Sequence, residues 1–190
     1  VGAISYTYSG GSANINASIT NTYSVIGEDN NGCVSLPAIS SLSVFPSPTI
    51  SISNGSICVG QSFTLLPSGA NTFSIEGNNA VVSPTISTTY TVSGTSSVGC
   101  ISQNYTTASV TVNSIPIISV NSGSICYGQS FTIIPVGAST YSFSGGSSIV
   151  SPTNTISYSV NGTSTEGCIS NTFAISNITV HPLPLVSVNS

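Results

Sequence analysis

The sequence contains no lysine, arginine, methionine or tryptophan, and charged residues make up only 2% of its 190 residues. Without basic side chains the chain cannot neutralise phosphate groups, so we do not expect it to bind nucleic acid by the usual electrostatic route. The same absence leaves no basic patch for an anionic membrane surface. No run of 18 apolar residues is present either, and we expect no membrane insertion of this segment.

Strong helix formers other than Ala and Leu are also scarce, whereas Ser, Thr, Val, Ile, Tyr and Phe are frequent. β-Branched and aromatic residues suit pleated, half-buried surfaces, so the composition favours an all-β protein. Disorder is the competing interpretation for a chain rich in Ser and Thr. However, 39% apolar residues with 2% charged residues lie outside the low-hydrophobicity, high-charge range that is typical of disorder.

One segment occurs three times at the same length. Gly2–Cys33, Gly69–Cys100 and Gly137–Cys168 align over 32 residues without a gap. A flanking segment, SICVGQSFTLLP from Ser56, returns as SICYGQSFTIIP from Ser124, a step of 68 residues. A fixed period of this kind indicates a structural unit that has been copied in tandem.

The repeat predicts a partial domain at 1–47, complete domains at 48–115 and 116–183, and the first strand of a following repeat in 184–190. Both ends fall inside the repeat. We therefore expect these residues to be part of a longer polypeptide or polymer, or the missing strands to come from another chain.

Alternation of apolar and polar residues between Gly, Pro and Asn turns predicts short strands in every repeat. The predicted strands are 5–8, 22–25, 39–44, 49–53, 62–66, 72–75, 80–82, 88–93, 108–113, 117–121, 130–134, 140–143, 148–150, 156–160, 175–180 and, in the tail, 185–189.

Strands of this length and spacing predict tandem immunoglobulin-like antiparallel β-sandwich domains of about 68 residues each. The pattern I-C-x-G-Q-S-F-T, G-A-x-T-Y/F, T-x-Y-T/S-V and G-C resembles the bacterial immunoglobulin-like (PKD-like) repeats of large secreted surface proteins, such as adhesins of gliding bacteria. The resemblance covers essentially the whole chain and implies an extracellular or cell-surface location. Where that family carries a core tryptophan, this chain has Tyr8, Ile75 and Phe143.

Three tyrosines, Tyr23, Tyr90 and Tyr158, occupy the same place in the three repeats. In an immunoglobulin-like sandwich this place is the tyrosine corner, whose hydroxyl bonds to nearby backbone. We therefore predict a structural core role for them, with carbohydrate stacking as the alternative.

The five cysteines occupy two repeat positions, early (Cys58, Cys126) and late (Cys33, Cys100, Cys168). Regular cysteines without charged catalytic partners indicate disulfides and an oxidising, extracellular setting. Zinc is the alternative, but C-x-x-C spacing is absent and the chain has one histidine.

The obvious pairing is within repeats, Cys58 with Cys100 and Cys126 with Cys168. If Cys58 lies in the A–B turn and Cys100 in the F–G turn, however, they sit at opposite poles of one sandwich, on the order of 20 Å apart. A disulfide needs Cα atoms within roughly 7 Å. In tandem sandwiches these two turns of neighbouring domains face each other. We therefore predict a Cys58–Cys168 disulfide, with Cys33 and Cys126 pairing outside these residues.

Two other polar features are weaker candidates. His181 lies in a predicted Pro-rich linker, where the other repeats have Phe45 and Asn113, and no acid neighbours it in sequence, so a catalytic role is not expected. The segment 28–32 offers oxygens to Ca²⁺. The equivalent residues in the later repeats keep only Glu166, which favours a plain polar turn.

Sequons for N-glycosylation form a further set of candidates, with chance occurrence as a serious alternative in so Asn- and Ser-rich a chain; O-linked sugar is equally compatible with the surface. They begin at Asn16, Asn54, Asn104, Asn161 and Asn177.

Three functions follow as hypotheses. The first is a structural segment of a glycosylated extracellular fibre, whose partners are further copies of itself and covalent glycans, with no cofactor, metal or catalytic residues. The second is the stalk or binding module of a large secreted adhesin. The third, a secreted enzyme, is the least favoured, because the sequence shows no catalytic constellation.

Overall fold

The computed structural model describes residues 2–187, which form strands, turns and loops without a helix. The prediction of an all-β, immunoglobulin-like protein is confirmed. None of the described residues forms a helix of the length and hydropathy required to cross a membrane. In chain order the strands are β1 (Ser5–Tyr8), β2 (Asn21–Glu28), β3 (Ala38–Leu42), β4 (Gly55–Cys58), β5 (Phe63–Thr64), β6 (Thr72–Ile75), β7 (Val81–Val82), β8 (Thr88–Thr95), β9 (Thr106–Asn113), β10 (Ser119–Val120), β11 (Gly123–Cys126), β12 (Phe131–Thr132), β13 (Pro135–Val136), β14 (Thr140–Phe143), β15 (Ile149–Val150), β16 (Ile156–Thr163) and β17 (Ala174–His181).

The chain separates into two compact units. The first contains the residues up to Ile52 together with Leu66–Asn78 and Thr91–Thr107, and the second contains the rest. Strands β1, β2, β3 and β6 lie wholly in the first unit, and β8 and β9 have residues in both.

The three repeats contain one main sheet each. In the first repeat this is the three-stranded antiparallel sheet β1-β2-β3. The other two main sheets have four strands in the same order, β4-β9-β8-β6 and β11-β17-β16-β14. Three two-stranded sheets, β5-β7, β12-β15 and β10-β13, complete the architecture.

Each four-stranded sheet contains a parallel pair. Strand β4 runs parallel to β9, with Gly55 opposite Val110 and Cys58 opposite Asn113, and β11 pairs with β17 in the same way. The antiparallel prediction holds for pairs such as β14-β16 and β16-β17 and is corrected for these two parallel pairs. A hairpin imposes the antiparallel direction, whereas these two strands are joined through the whole repeat.

The hydrophobic cluster of the third repeat, within the second unit, draws its residues from the four-stranded sheet and from the β12-β15 region. Strand β17 alternates as a half-buried strand should, with Ser176 and Ile178 fully buried between exposed neighbours. Partly buried Val120, Phe131, Tyr141, Phe143, Tyr158 and Val180 surround the central cluster. The cluster itself consists of Ile125, Ile133, Val150, Val160 and Ile178.

A glycine inside β16 permits a close contact in the third repeat. A Cβ atom on Gly162 would lie 2.8 Å from the Cβ atom of Ala138 and would also clash with Ile118. Gly94 has the same relationship to Ala70 and Ile50 in the first unit, at 2.6 Å and 2.5 Å. In both repeats, therefore, the glycine in the strand packs against the alanine of the Gly-Ala dipeptide that begins the repeated segment.

The predicted strands agree with the structure in the middle of each repeat and differ at its start. The segments 72–75 and 140–143 have the predicted bounds, and most others are shifted or trimmed by a few residues. No strand forms at 49–53, where Ser51 makes only an isolated bridge to Ser68. The strand at this point is instead Gly55–Cys58, where the sequence pattern predicts a turn. In the tail, 185–187 form no strand, and 188–189 lie outside the described residues.

Candidate functional site

The structure joins Cys58 to Cys168 by a disulfide, the pair expected from the tandem arrangement. The S–S distance is 1.97 Å, the Cα–Cα distance is 5.6 Å, and 110 positions separate the two residues in the chain. Both cysteines belong to the second compact unit. Cys58 is the last residue of β4 and not part of the turn itself, while Cys168 lies fully buried after β16.

The early cysteine position has the same local structure in both places where it occurs. The backbone N–H of Cys58 donates to Oε1 of Gln61 at 3.0 Å, and Cys126 donates to Gln129 at 3.0 Å. In return, each glutamine N–H donates to the carbonyl of its cysteine. The Cys-x-Gly-Gln sequence thus forms one turn that holds the cysteine at the end of its strand.

The late cysteine position also repeats its geometry. The N–H of Cys100 donates to Oγ of Ser96 at 3.1 Å, and Cys168 donates to Oγ of Ser164 at 3.2 Å. In the first repeat the acceptor is Oδ1 of Asp29, which accepts from Cys33 at 2.9 Å. The thiols of Cys33, Cys100 and Cys126 are free.

The late cysteine of one repeat lies beside a backbone carbonyl group at the end of the preceding repeat. Sγ of Cys168 is 4.0 Å from the carbonyl oxygen of Asn113, which also accepts the N–H of Val59 next to Cys58. Sγ of Cys100 is 3.8 Å from the carbonyl oxygen of Phe45, the equivalent of Asn113. Cys100 is thus the repeat equivalent of the disulfide-bonded Cys168, with the same kind of carbonyl neighbour.

Within residues 2–187, β3 is an edge strand: it pairs with β2 on one side, and none of the described strands pairs with its other side. All five residues of β3 are exposed. Leu42 is 41% exposed, whereas its equivalents Val110 and Ile178 are 1% and 0% exposed.

An apolar groove of about 270 Å³ lies against this sheet. Its apolar lining includes Tyr8, Ile15, Tyr23, Val25 and Leu42. In the third repeat the equivalent residues all belong to the core of the second unit or pack against it; they are Phe143, Val150, Tyr158, Val160 and Ile178. The groove is thus lined by the repeat equivalents of core residues.

The three repeated tyrosines remain predicted core residues. Tyr158 packs against the core of its unit, and Tyr23 lines the groove. The hydroxyl bond of the tyrosine-corner type is made by a different residue. The hydroxyl of Tyr141 accepts the N–H of Ala138 and donates to its carbonyl, each at 2.9 Å.

The acidic turn of the first repeat is closed by hydrogen bonds to its own backbone. Oδ1 of Asp29 accepts the N–H groups of Asn31 and Cys33, both at 2.9 Å. These bonds hold the pKa of Asp29 below its ordinary value, and the hydroxyl of Thr165 likewise lowers the pKa of Glu166. Across residues 2–187, no three His, Cys, Asp or Glu side chains are grouped to hold a metal ion.

His181 is exposed, but it does not lie in a linker as predicted. It is the last residue of β17, because its backbone continues the parallel ladder opposite Cys126. Its carbonyl accepts the N–H of Tyr127 at 2.9 Å. The position is thus the equivalent of Asn113, and its role in the ladder belongs to the backbone.

The five sequons differ in how free their asparagines are. Asn16 and Asn104 are exposed and lie outside strands. Asn54 and Asn177 are exposed, but their Oδ1 atoms accept the N–H of Ser109 and the hydroxyl of Ser157. Asn161 is half-buried in β16, where its Oδ1 accepts from the hydroxyl of Ser170 and the N–H of Gly162.

Comparison with known proteins gives distant structural similarities. No protein-family model matches the sequence, and no curated protein sequence matches it. One similar structure is a Ca²⁺-stabilised adhesin that helps an Antarctic bacterium bind ice; it is 12% identical with a TM-score of 0.40, over 86% of this chain and 57% of that one. The chain thus spans little more than half of that structure.

Two further structures are comparable. A 1.5-MDa bacterial ice-binding adhesin is 16% identical with a TM-score of 0.36, covering 85% of this chain and 74% of that one. The mouse clustered PcdhgC3 EC1-3 is 10% identical with a TM-score of 0.39, covering 87% and 77%. At these identities and TM-scores the similarities carry no functional argument.

Proposed function

We propose that this chain is a structural segment of an extracellular fibre built from tandem immunoglobulin-like, PKD-like repeats, with mechanical duty and no chemistry of its own. The observation that carries the proposal is the Cys58–Cys168 disulfide. It joins the early cysteine of one repeat to the late cysteine of the next, at positions that recur along the sequence. A bond of this kind fixes successive repeats to each other, which is a property that a load-bearing array needs.

The composition supports self-association. Sheet edges of soluble β-proteins are commonly protected by lysine or other charges, because free edges recruit further strands. This chain has no lysine, and its net charge of −4 gives little self-repulsion. The missing lysine and arginine also leave no cleavage site for trypsin-like proteases, which suits a long-lived extracellular material.

The same disulfide supports the proposed extracellular location, because disulfides persist in oxidising compartments. Covalent glycans are the remaining part of the proposal. Four of the five sequon asparagines are exposed, and the Ser- and Thr-rich surface offers further hydroxyl groups for O-linked sugar.

Electron microscopy of the native material tests the proposal. We expect filaments with an axial period that corresponds to the 68-residue repeat, which persist after enzymatic deglycosylation. The matched control is the same preparation treated with reductant, in which the filaments should become more flexible. A discrete monomer that stays soluble after deglycosylation would refute the fibre and favour the stalk or binding module of a secreted adhesin.

A further inference from the structure

We propose that Asn104 carries an N-linked oligosaccharide and that the first sugar lies in a polar cleft beside it. The cleft is lined by Ser47, Pro48, Thr49 and Gln103, all in the first compact unit. The inference rests on the proposed function, in which covalent glycans coat the chain, and it specifies one attachment site. Three features support it: the exposed side chain of Asn104, the cleft, and a difference between two equivalent places in the chain.

The first feature is the exposure of Asn104 in the loop before β9. Its Nδ2 atom, which takes up the sugar in N-glycosylation, can therefore face solvent in the folded chain. Two other sequon asparagines are held by the fold. Asn161 is half-buried and accepts the hydroxyl of Ser170, and Asn177 accepts the hydroxyl of Ser157 at 2.6 Å. A chain with sugar at either of these would lose such bonds on folding, whereas Asn104 leaves room for one.

The hydroxyl of the Asn104 sequon belongs to Thr106, the first residue of β9. Thr106 is half-buried, and its Oγ1 donates to the carbonyl of Ile50 at 3.0 Å. The acceptor sequence requires this hydroxyl. Because the hydroxyl is engaged in the folded chain, the sugar is attached before this bond forms. Folding then fixes the glycosylated loop beside the cleft.

The second feature is the cleft, whose volume is about 150 Å³. An engineered protein cavity of about 150 Å³ binds benzene, so the cleft has room for one six-membered sugar ring. The hydroxyls of Ser47 and Thr49 can donate and accept hydrogen bonds, as can the carboxamide of Gln103. Pro48 adds an apolar face. A sugar ring matches this lining, because it has hydroxyls around its edge and C–H groups on its faces.

The third feature is a difference between this site and the equivalent place 68 positions further along the chain. There, Ser47, Thr49 and Asn104 are replaced by Ile115, Ile117 and Thr172. Ile117 is 90% exposed, so the exchange for isoleucine is not explained by burial. The sequon and the hydroxyls of the cleft thus occur together at one place and are both missing from the other. A sequon that arose by chance would not require polar neighbours.

The transfer step needs a donor and a transferase from the secreting cell. The donor is an oligosaccharide whose anomeric carbon is bonded to a polyprenyl diphosphate. Nδ2 of Asn104 attacks this carbon, so that a new C–N bond forms while the bond to the diphosphate oxygen breaks. The polyprenyl diphosphate leaves with the bonding electron pair, and a basic group of the transferase takes the proton from Nδ2.

Mass spectrometry of the native chain tests the attachment. The denatured chain is digested with chymotrypsin, because it offers trypsin no cleavage site. We expect the peptide that contains Asn104 to carry the mass of a glycan, and the peptides that contain Asn161 and Asn177 to be unmodified. Asn104 without sugar would overturn the site. Sugar on Asn161 or Asn177 would overturn the selection of the site by the fold.

Two variants of the full chain, secreted from cultured eukaryotic cells, test the sequon. Asn104→Gln removes the acceptor, and we expect the mass of the chain to fall by one glycan. Thr106→Ser is the matched control, because it keeps both the sequon and a hydroxyl for the carbonyl of Ile50. Its glycan mass should be unchanged. An Asn104→Gln chain that keeps the full glycan mass would overturn the site.

Limited chymotrypsin digestion of the folded chain tests the position of the sugar. Tyr105 is 76% exposed in the middle of the sequon, and Phe173, its repeat equivalent without a sequon, is 62% exposed. Exposed loops are preferred sites of proteolysis. We expect cleavage after Tyr105 to be lost in the glycosylated chain and to appear in Asn104→Gln. Cleavage after Phe173 should be the same in both chains.

A double variant then separates the cleft from the sugar itself. Ser47→Ile with Thr49→Ile copies the third repeat, and it should keep the glycan mass but restore cleavage after Tyr105. Circular dichroism checks that this variant keeps its β structure. Protection of Tyr105 that survives the double change would overturn the contact with the cleft.

These tests are independent of the fibre. A monomeric native protein with sugar at Asn104 would refute the fibre and support the site. Native filaments without sugar at Asn104 would support the fibre and refute the site.

Discussion

A covalent bond joins Cys58 to Cys168 across 110 positions of the chain. Because the bond closes this loop, it limits both the entropy of the unfolded chain and the length to which the chain can be pulled. The two consequences can be measured separately.

The first prediction concerns stability. Cys58→Ser should lower the free energy of unfolding of the second unit by up to about 5 kcal/mol, the chain-entropy value for a loop of this size. Denaturant titration with and without reductant measures the effect. Cys126→Ser is the matched control, since Cys126 lies in the equivalent turn of the next repeat and forms no disulfide. An equal loss in both variants would mean that the turn and not the bond is responsible.

The second prediction concerns extension under force. A fully extended chain spans about 3.3–3.6 Å per residue, so the closed loop hides about 360–400 Å of length. Single-molecule pulling of the oxidised chain should therefore end about 360–400 Å short of the reduced chain. The Cys126→Ser variant should show the same difference. A contour length that reductant does not change would contradict the bond.

The third prediction concerns the glycine contact shared by the repeats. Gly162→Ala places a methyl group against Ala138 and Ile118, and it should destabilise the second unit by about 1–3 kcal/mol through overpacking. Gly2→Ala is the control, because no atom lies within 4 Å of a Cβ atom built there. Thermal unfolding followed by circular dichroism compares them. If the two variants melt together, this contact does not hold the repeat in register.

Strands that are local in sequence could be predicted, and strands that depend on distant pairing could not. Residues 72–75 and 140–143 alternate between clear turns, and their predicted bounds agree with the structure. Gly55–Cys58 begins with glycine and precedes a glycine turn, so it resembled a loop. Its strand character comes from β9, with Gly55 opposite Val110, a pairing that no local pattern contains.

The cysteine site shows the same division. The repeat spacing and the sandwich poles predicted a bond from Cys58 to Cys168. The special position of Cys100 was missed, although it is the repeat equivalent of Cys168. The sequence does show that Phe45 aligns with Asn113. That Sγ of Cys100 lies beside the Phe45 carbonyl, as Sγ of Cys168 lies beside that of Asn113, is visible only in the fold.

The fourth prediction is a pH effect in the first repeat. The backbone N–H groups of Cys33 and Asn31 donate to Asp29 and lower its pKa in the folded chain. Ionised Asp29 therefore stabilises the turn at pH values above 3.8, the ordinary pKa of the group. This contribution is lost as the pH falls through the lowered pKa. NMR titration should show the amide of Cys33 responding at that lower pH. Asp29→Ser, which copies Ser96 and Ser164, should keep the turn and remove the response. Titration at or above 3.8 would contradict the assignment.

The last prediction compares the same repeat position where it is buried and where it is partly exposed. Ile178 is fully buried, and Ile178→Ala should destabilise the second unit by about 2–5 kcal/mol. Leu42 is its repeat equivalent but is 41% exposed in the edge strand β3, so Leu42→Ala should change the stability of the isolated chain much less. Denaturant unfolding of the two variants measures the difference. An equal cost for the two substitutions would contradict the different burial of these two positions.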